Sequence, residues 1–111
     1  MSFRARLHSN AKLIGTMISI ASQDNVDILS MCGFDWYFLD LEHSTMSHEQ
    51  AKGLLQVVAN RIPVLARVAA NNDLEIKKAL DMGADGIIVP LVKNKVEAEA
   101  AVRAAKYPPE G

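Results

Sequence analysis

The sequence predicts an α/β fold in which short buried strands alternate with helices. Four apolar runs carry this prediction, and their starts are spaced by about 25 residues, which suits one strand plus the helix that leads back to the next parallel strand. The runs are residues 13–20, 36–41, 62–68 and 86–92. Each run is followed by apolar residues at helical spacing. Such alternation is typical of a parallel sheet with right-handed crossovers.

Each predicted helix has one apolar stripe. The second helix has the longest, because four apolar residues fall at positions i, i+3, i+4 and i+7. The stripes consist of Val26, Leu29 and Cys32; Ala51, Leu54, Leu55 and Val58; Ile76, Ala79 and Leu80; and Val96, Ala100 and Ala104. We therefore expect helices to cover the sheet, with Cys32 as a small core residue.

The helix boundaries are also marked. Four predicted helix starts have side chains that can accept hydrogen bonds from first-turn amides. They are Asp24, Asp73 and the capping-box-like patterns Ser47-x-x-Gln50 and Asn94-x-x-Glu97. Gly33 and Gly83 lie where a left-handed residue is expected to end a helix. The segments around these glycines, residues 31–36 and 81–86, resemble each other, as in a fold built from repeated helix–glycine–strand joints.

Two architectures fit this order: an open doubly wound sheet and a closed eight-stranded barrel. Four units make half of a (β/α)8 barrel of the TIM type, whose usual length is roughly 250 residues. Residues 106–111 have the composition of a turn after a helix, and another strand should follow them. We expect residues 1–111 to be a single domain, the N-terminal half of such a barrel in a chain that is cut short.

The composition favours an enzyme domain in a reducing compartment. The net charge of −1 and the pI near 6.3 give no indication of a nucleic-acid or membrane partner. Cys32 is the single cysteine, so an internal disulfide is excluded. The first residues lack the apolar stretch of a signal peptide. We therefore predict a cytoplasmic location.

Ionisable residues follow two neighbouring predicted strands. Asp40, Glu42 and His43 end the second apolar run, and Arg67 lies near the end of the third. The carboxyl ends of barrel strands are where chemistry is done, so these residues are the candidate site. Simpler interpretations remain open: solvated carboxylates, an ordinary loop histidine, and a salt bridge from Arg67 to Asp40 or Glu42. His48, in the first turn of a helix, is predicted to be a surface residue.

Five segments in order resemble a known family. They are Gly33-Phe34-Asp35-Trp36, Asp40-Leu41-Glu42-His43, Val64-Leu65-Ala66-Arg67-Val68, Gly83-Ala84-Asp85-Gly86-Ile87-Ile88-Val89-Pro90 and Tyr107-Pro108-Pro109-Glu110-Gly111. Together, from about Leu13 to Gly111, they resemble the N-terminal half of the HpcH/HpaI aldolases, the metal-dependent dihydroxyheptenedioate-type enzymes. The resemblance implies a (β/α)8 barrel that cleaves or forms a 4-hydroxy-2-oxo acid, with pyruvate or a similar 2-oxo acid as donor and an aldehyde as acceptor.

The resemblance also implies roles for the candidate residues. His43 matches the family's general acid/base, a task suited to imidazole because it titrates near neutral pH. Asp40 matches the aspartate that orients this histidine. Arg67 matches the catalytic arginine that binds the oxo group of the pyruvate moiety and stabilises the enolate. Glu42 is given a supporting role in the water and metal network.

A divalent metal, Mg²⁺, Mn²⁺ or Co²⁺, is implied as a Lewis acid. Its ligands in the family are a glutamate and an aspartate that would lie beyond Gly111, so we expect no metal ligand within this chain and little activity from it alone. The resemblance further implies a homo-oligomer.

Two other functions remain open. One is a different barrel enzyme that acts on a sugar phosphate; the other is a non-catalytic half-barrel that self-associates through its open sheet edges. A Schiff-base mechanism is disfavoured, because none of the four apolar runs contains a lysine.

Overall fold

The computed structural model describes residues 1–106 and 108, and it confirms the alternation of strands and helices. The elements in chain order are α1 Phe3–Leu7, β1 Gly15–Ile18, α2 Gln23–Leu29, β2 Trp36–Asp40, α3 His48–Val58, β3 Val64–Arg67, α4 Asp73–Asp81, β4 Gly86–Ile88 and α5 Lys95–Ala104. The predicted turn at residues 106–111 lies largely outside the described residues. Within them, no helix has the length and apolar character that a membrane span requires.

The four strands form one parallel sheet in the order β1-β2-β3-β4. Because chain order equals spatial order and all strands run the same way, their carboxyl ends meet at one edge. The register at that edge places Asp40 beside Arg67, and Arg67 beside Ile88. This is the arrangement of consecutive strands in a barrel.

The core lies between the sheet and helices α2, α3 and α4. Alternation along β2 directs Tyr37 and Leu39 into it, and both are buried. Tyr37 also donates a hydrogen bond from its hydroxyl to the carbonyl of Val26 at 2.6 Å, so the polar end of this buried ring is satisfied. The other face of β2 carries Trp36, Phe38 and Asp40.

The helix caps agree in part with the sequence. Ser47 forms the complete capping box with Gln50. Asn94 caps α5 through the amide of Glu97, but the Glu97 carboxylate accepts from Lys93, so that box is incomplete.

The predictions for Asp24 and Asp73 as caps are wrong. Ser22 and Asn72 cap these helices, because α2 begins two residues, and α4 one residue, before the aspartates would allow. Both aspartates lie in the first turns of these helices, where a carboxylate interacts favourably with the helix dipole.

The repeat seen around the two glycines is a structural repeat. Gly33 and Gly83 have φ of 90° and 110°, which confirms the left-handed prediction. In each copy, the aspartate two residues after the glycine forms hydrogen bonds with the neighbouring strand segment. Asp35 donates its amide to the Ile14 carbonyl at 2.7 Å and accepts from the Ile14 amide at 2.8 Å. Asp85 makes the same two bonds with Val64, both at 2.8 Å.

Three features differ from the sequence-based expectations. Cys32 is exposed rather than in the core, because α2 ends at Leu29 and the chain leaves the buried stripe before residue 32. Val96, at the start of α5, is exposed too. The short helix α1 was not predicted; Arg6 ties it to Asp35 with a 2.6 Å ion pair.

Candidate active site

The centre of the site is an ion pair between the last residues of β2 and β3. Arg67 donates from Nε to Oδ1 of Asp40 at 3.2 Å and from Nη2 to Oδ2 at 2.8 Å. Asp40 is 2% exposed and the Arg67 side chain 23% exposed. This two-point bond fixes the plane of the guanidinium against the edge of the sheet. The salt bridge that the sequence left open is therefore present.

The loop after β2 winds around the Asp40 carboxylate. Oδ1 of Asp40 accepts hydrogen bonds from the backbone amides of Glu42 at 2.9 Å and His43 at 3.0 Å. Ser44 donates its hydroxyl to the Asp40 carbonyl at 2.6 Å. Asp40 thus sets the path of the loop and places the next two ionisable residues beside Arg67.

These bonds determine the charge state of the pair. Burial by itself would raise the pKa of Asp40, but hydrogen bonds from Arg67 and from the amides of His43 and Glu42 outweigh it and lower the pKa to about 2. The same side-chain bond raises the pKa of Arg67. Both groups are therefore charged across the physiological range, and Asp40 is unsuited to proton transfer near neutral pH.

Glu42 lies between the guanidinium and the imidazole. Its Oε1 is 3.3 Å from Nε of Arg67 and 3.3 Å from Nε2 of His43. The Glu42 side chain is mostly buried, whereas that of His43 is 72% exposed at the mouth of the site. The four predicted residues thus gather at one edge of the sheet.

The resemblance implied that Asp40 orients the ring of His43, but the ring contacts a different carboxylate. Asp40 binds the backbone amide of His43, and the carboxylate beside the ring belongs to Glu42. The reason is that Arg67 and the two loop amides already occupy the Asp40 oxygens. Glu42 is therefore placed to orient the imidazole.

One neighbour of the site was missed from the sequence. The ring of Phe38 lies beneath the guanidinium of Arg67, with 5.0 Å from Cζ to the ring centroid. Alternation along β2 was the available signal, because Phe38 precedes Asp40 by two residues and so lies on the same face.

The described residues do not fit a metal cage. Among them there is no group of three or more histidine, cysteine, aspartate or glutamate side chains that could hold an ion. Asp40 and Glu42 are both engaged by Arg67. His48 is half-exposed and lies beside a different carboxylate, with Nε2 3.4 Å from Oε2 of Glu75.

A family model described as HpcH/HpaI aldolase/citrate lyase matches residues 14–111. The chain belongs to this family. It is 40% identical to a hydroxypyruvate/pyruvate aldolase of Sagittula stellata, covering 98% of this chain and 44% of that protein. It is 37% identical to a 4-hydroxy-2-oxo-heptane-1,7-dioate aldolase of Escherichia coli, covering 99% of this chain and 42% of that protein. The HpcH/HpaI chain thus spans less than half the length of these relatives, which are named as aldolases.

Two solved structures that match this HpcH/HpaI chain confirm the half-barrel. An HpcH/HpaI aldolase from Desulfitobacterium hafniense DCB-2 matches with a TM-score of 0.89 at 30% identity, covering 100% of this chain and 44% of that one. The citrate synthase SbnG matches with a TM-score of 0.89 at 34% identity, covering 99% and 45%. Neither these names nor the aldolase relatives support the sugar-phosphate alternative.

Proposed function

We propose that this chain is part of an aldolase that reversibly cleaves a 4-hydroxy-2-oxo acid to pyruvate, or a similar 2-oxo acid, and an aldehyde. The observation that carries the proposal is the edge cluster: a guanidinium held by two carboxylates, with an imidazole on the second carboxylate. Family membership and the names of the relatives support the reaction class.

Arg67 is proposed to bind the 2-oxo acid. The hydrogen bonds to Asp40 use Nε and Nη2, and no bond from Nη1 to another described residue is present. Since the plane of the guanidinium is fixed, the remaining N–H groups have a set direction toward the open edge. A fixed donor at the C2 oxygen would stabilise the enolate as negative charge develops there, an effect commonly worth a few kcal/mol.

His43 is proposed as the general acid/base, with Glu42 orienting its ring. In the cleavage direction, the imidazole takes the proton of the C4 hydroxyl, the C3–C4 bond breaks, and its electron pair becomes the enolate of the 2-oxo acid. The aldehyde leaves, and protonation of the enolate at C3 gives pyruvate. The Glu42 carboxylate, 3.3 Å from Nε2, would stabilise the imidazolium that forms.

The family resemblance places the ligands of the implied divalent ion beyond Gly111. The described residues offer no cage for it, so the roles above concern only binding, orientation and proton transfer. For the same reason, we expect the 111-residue chain to bind pyruvate no more tightly with added Mg²⁺ or Mn²⁺ than without. Isothermal calorimetry measures this, and metal-dependent, saturable binding by the chain alone would contradict the predicted position of the ligands.

The proposed roles are tested by exchange of the pyruvate C3 protons with deuterium, followed by NMR in the full-length protein. Replacing Arg67 with alanine should weaken pyruvate binding and slow exchange. Replacing His43 with alanine should depress retro-aldol turnover by about a hundredfold or more while the protein stays folded.

Each variant has a matched control in the chain. Arg61, ion-paired with Asp27 at 2.8 Å, is the control for Arg67, and His48, beside Glu75, is the control for His43. Alanine at either control position should leave exchange and turnover near wild type. Equal losses in test and control variants would refute the proposed roles.

Self-association is a second candidate function. In the described part of the chain, β1 and β4 each pair with one strand only, and Met17 on the open face of β1 is 53% exposed. Exposed edges and apolar side chains favour assembly. Size-exclusion chromatography of the 111-residue chain at several concentrations tests this, since a monomer at every concentration would oppose it.

A further inference from the structure

We propose that Phe38 is a positioning residue of the candidate active site. Its ring supports the guanidinium of Arg67 from beneath and keeps it in the orientation that binds a 2-oxo acid. The identity of the substrate in this inference rests on the proposed function. The contact between Phe38 and Arg67 rests on geometry alone.

The contact has the geometry of a cation–π interaction. Cζ of Arg67 lies 5.0 Å from the centroid of the Phe38 ring, within the roughly 6 Å over which the face of an aromatic ring attracts a cation. Phe38 lies two residues before Asp40 on β2, so both side chains leave the same face of the sheet. Arg67 is thus held in its plane by Asp40 and from below by Phe38.

The two supports restrain different motions. Two parallel hydrogen bonds from Nε and Nη2 to Asp40 resist sliding and rotation within the plane of the guanidinium. They leave a hinge motion about the line that joins them, because small out-of-plane tilts lengthen neither bond much. A flat ring beneath the guanidinium opposes that tilt. The direction of the remaining N–H groups therefore depends on Phe38.

Phe38 is itself held by an aromatic column along the open face of the sheet. Its ring centroid is 6.1 Å from that of Trp36, and Trp36 is 6.5 Å from Phe3 in α1. The column needs a glycine beside it on β1. A Cβ added at Gly15 would lie 2.5 Å from the Trp36 ring, so any side chain there would displace the indole.

A neutral ring suits this position better than a third carboxylate. Asp40 and Glu42 already place two carboxylates against one guanidinium. Another carboxylate would occupy further N–H groups and add negative charge that repels an anionic 2-oxo acid. The face of the Phe38 ring stabilises the cation electrostatically and leaves those N–H groups to the substrate.

Fluorinated phenylalanines at position 38 test the proposal, because successive fluorines withdraw electron density from the ring face while nearly keeping its shape. Phenylalanine, 4-fluoro-, 3,5-difluoro- and 3,4,5-trifluorophenylalanine are placed at position 38 of the full-length protein. The affinity for pyruvate should fall stepwise, by about tenfold across the series, and C3-proton exchange should slow with it. Phe38→Trp, which keeps a π-face, should retain more affinity than Phe38→Leu.

A second readout does not depend on activity. Thermal unfolding of the same series is compared in proteins that carry Arg67 and in proteins with Arg67→Met. The unfolding midpoint should fall with fluorination only when Arg67 is present. The same substitutions at Phe34, which packs against the core cluster, are the control and should leave pyruvate affinity unchanged.

The outcomes separate this proposal from the proposed function. Stepwise losses of affinity at position 38, with coupling to Arg67 in the unfolding series, support the positioning role. A flat affinity series in a protein that exchanges pyruvate protons overturns it. A wild-type protein with no exchange overturns the proposed function and the substrate role of Phe38 with it, and the unfolding series then decides the contact alone.

Discussion

Replacement of Asp40 with asparagine tests the ion pair at the centre of the site. Asparagine keeps a side-chain oxygen that can accept from the amides of Glu42 and His43, so the loop retains its bonds. The charge that faces Arg67 is lost. The variant therefore isolates the guanidinium–carboxylate interaction from the structure of the loop.

The expected loss follows from the pKa of Asp40. The carboxyl has a pKa of 3.8 when unfolded and about 2 when folded, a difference worth about 2 kcal/mol of folding free energy. Because the side chain is 3% exposed, solvent screening reduces this little. Glu42 remains 3.3 Å from Arg67 as a substitute partner. The loss should therefore be about 2–3 kcal/mol at neutral pH, at or below the low end of the range of about 3–5 kcal/mol for breaking a buried pair.

The sign of the pH dependence is fixed by the lowered pKa. The contribution of Asp40 is complete above the unfolded pKa of 3.8 and disappears as the pH falls through about 2. The difference in unfolding free energy between wild type and Asp40→Asn should thus be constant from pH 7 to about pH 5 and shrink to about 0.4 kcal/mol near pH 2. Urea denaturation of both proteins across this range measures it.

The control is Asp27→Asn, which removes a carboxylate that pairs with Arg61 at 2.8 Å but is half-exposed. Its effect should stay below about 1 kcal/mol at every pH. If the two variants lost the same free energy, or if the Asp40→Asn difference did not change between pH 5 and pH 2, the argument that Arg67 and the two loop amides lower the pKa of Asp40 would be refuted.

Two further predictions concern the scaffold, and both are checked by thermal and urea unfolding. Gly15→Ala should destabilise the protein by about 2 kcal/mol, because the new methyl would lie 2.5 Å from the Trp36 ring. Gly53→Ala in α3 should be neutral or stabilising, because its methyl would meet only the flexible end of Gln23 at 3.1 Å. A larger loss of stability from Gly53→Ala than from Gly15→Ala would contradict this packing. Ser47→Ala should cost about 1 kcal/mol through loss of the α3 cap, and an unchanged midpoint would mean that the capping box contributes nothing.

The fold was predictable because its signals repeat along the chain. The spacing of the apolar runs predicted the alternation of strands and helices, and Gly33 and Gly83 marked equivalent joints. The errors in the prediction concern features that depend on one or two residues and do not repeat along the chain. The cap of α2 lies two residues before the predicted aspartate and that of α4 one residue before it, because Ser22 and Asn72 are as able to accept a hydrogen bond from a first-turn amide as Asp24 and Asp73. Cys32 was misplaced because the apolar spacing continued past the point where the helix ends.

The convergence of the four candidate residues at one edge was predictable, but the contacts of His43 were not. Asp40 and Arg67 each end a strand, so a parallel sheet brings them to one edge, and their register makes them neighbours. Which carboxylate contacts the imidazole depends on a loop turn, and sequence order alone does not fix it. Asp40 folds the loop toward itself, which turns the ring of His43 toward Glu42.

This arrangement separates two tasks that a single carboxylate could not perform well. Asp40 is buried, holds Arg67 and has a pKa near 2, so it serves as a fixed charge. Glu42 contacts both Arg67 and His43 from a loop, where it can follow the exposed imidazole. If Asp40 also held the ring, a change of charge on His43 would disturb the guanidinium directly. We infer that the division would let the ring gain and lose a proton in its proposed acid/base role while the proposed 2-oxo acid site keeps its geometry. Glu42→Gln should therefore impair turnover more than pyruvate binding, whereas equal losses in both would place Glu42 with Asp40 as a support of Arg67.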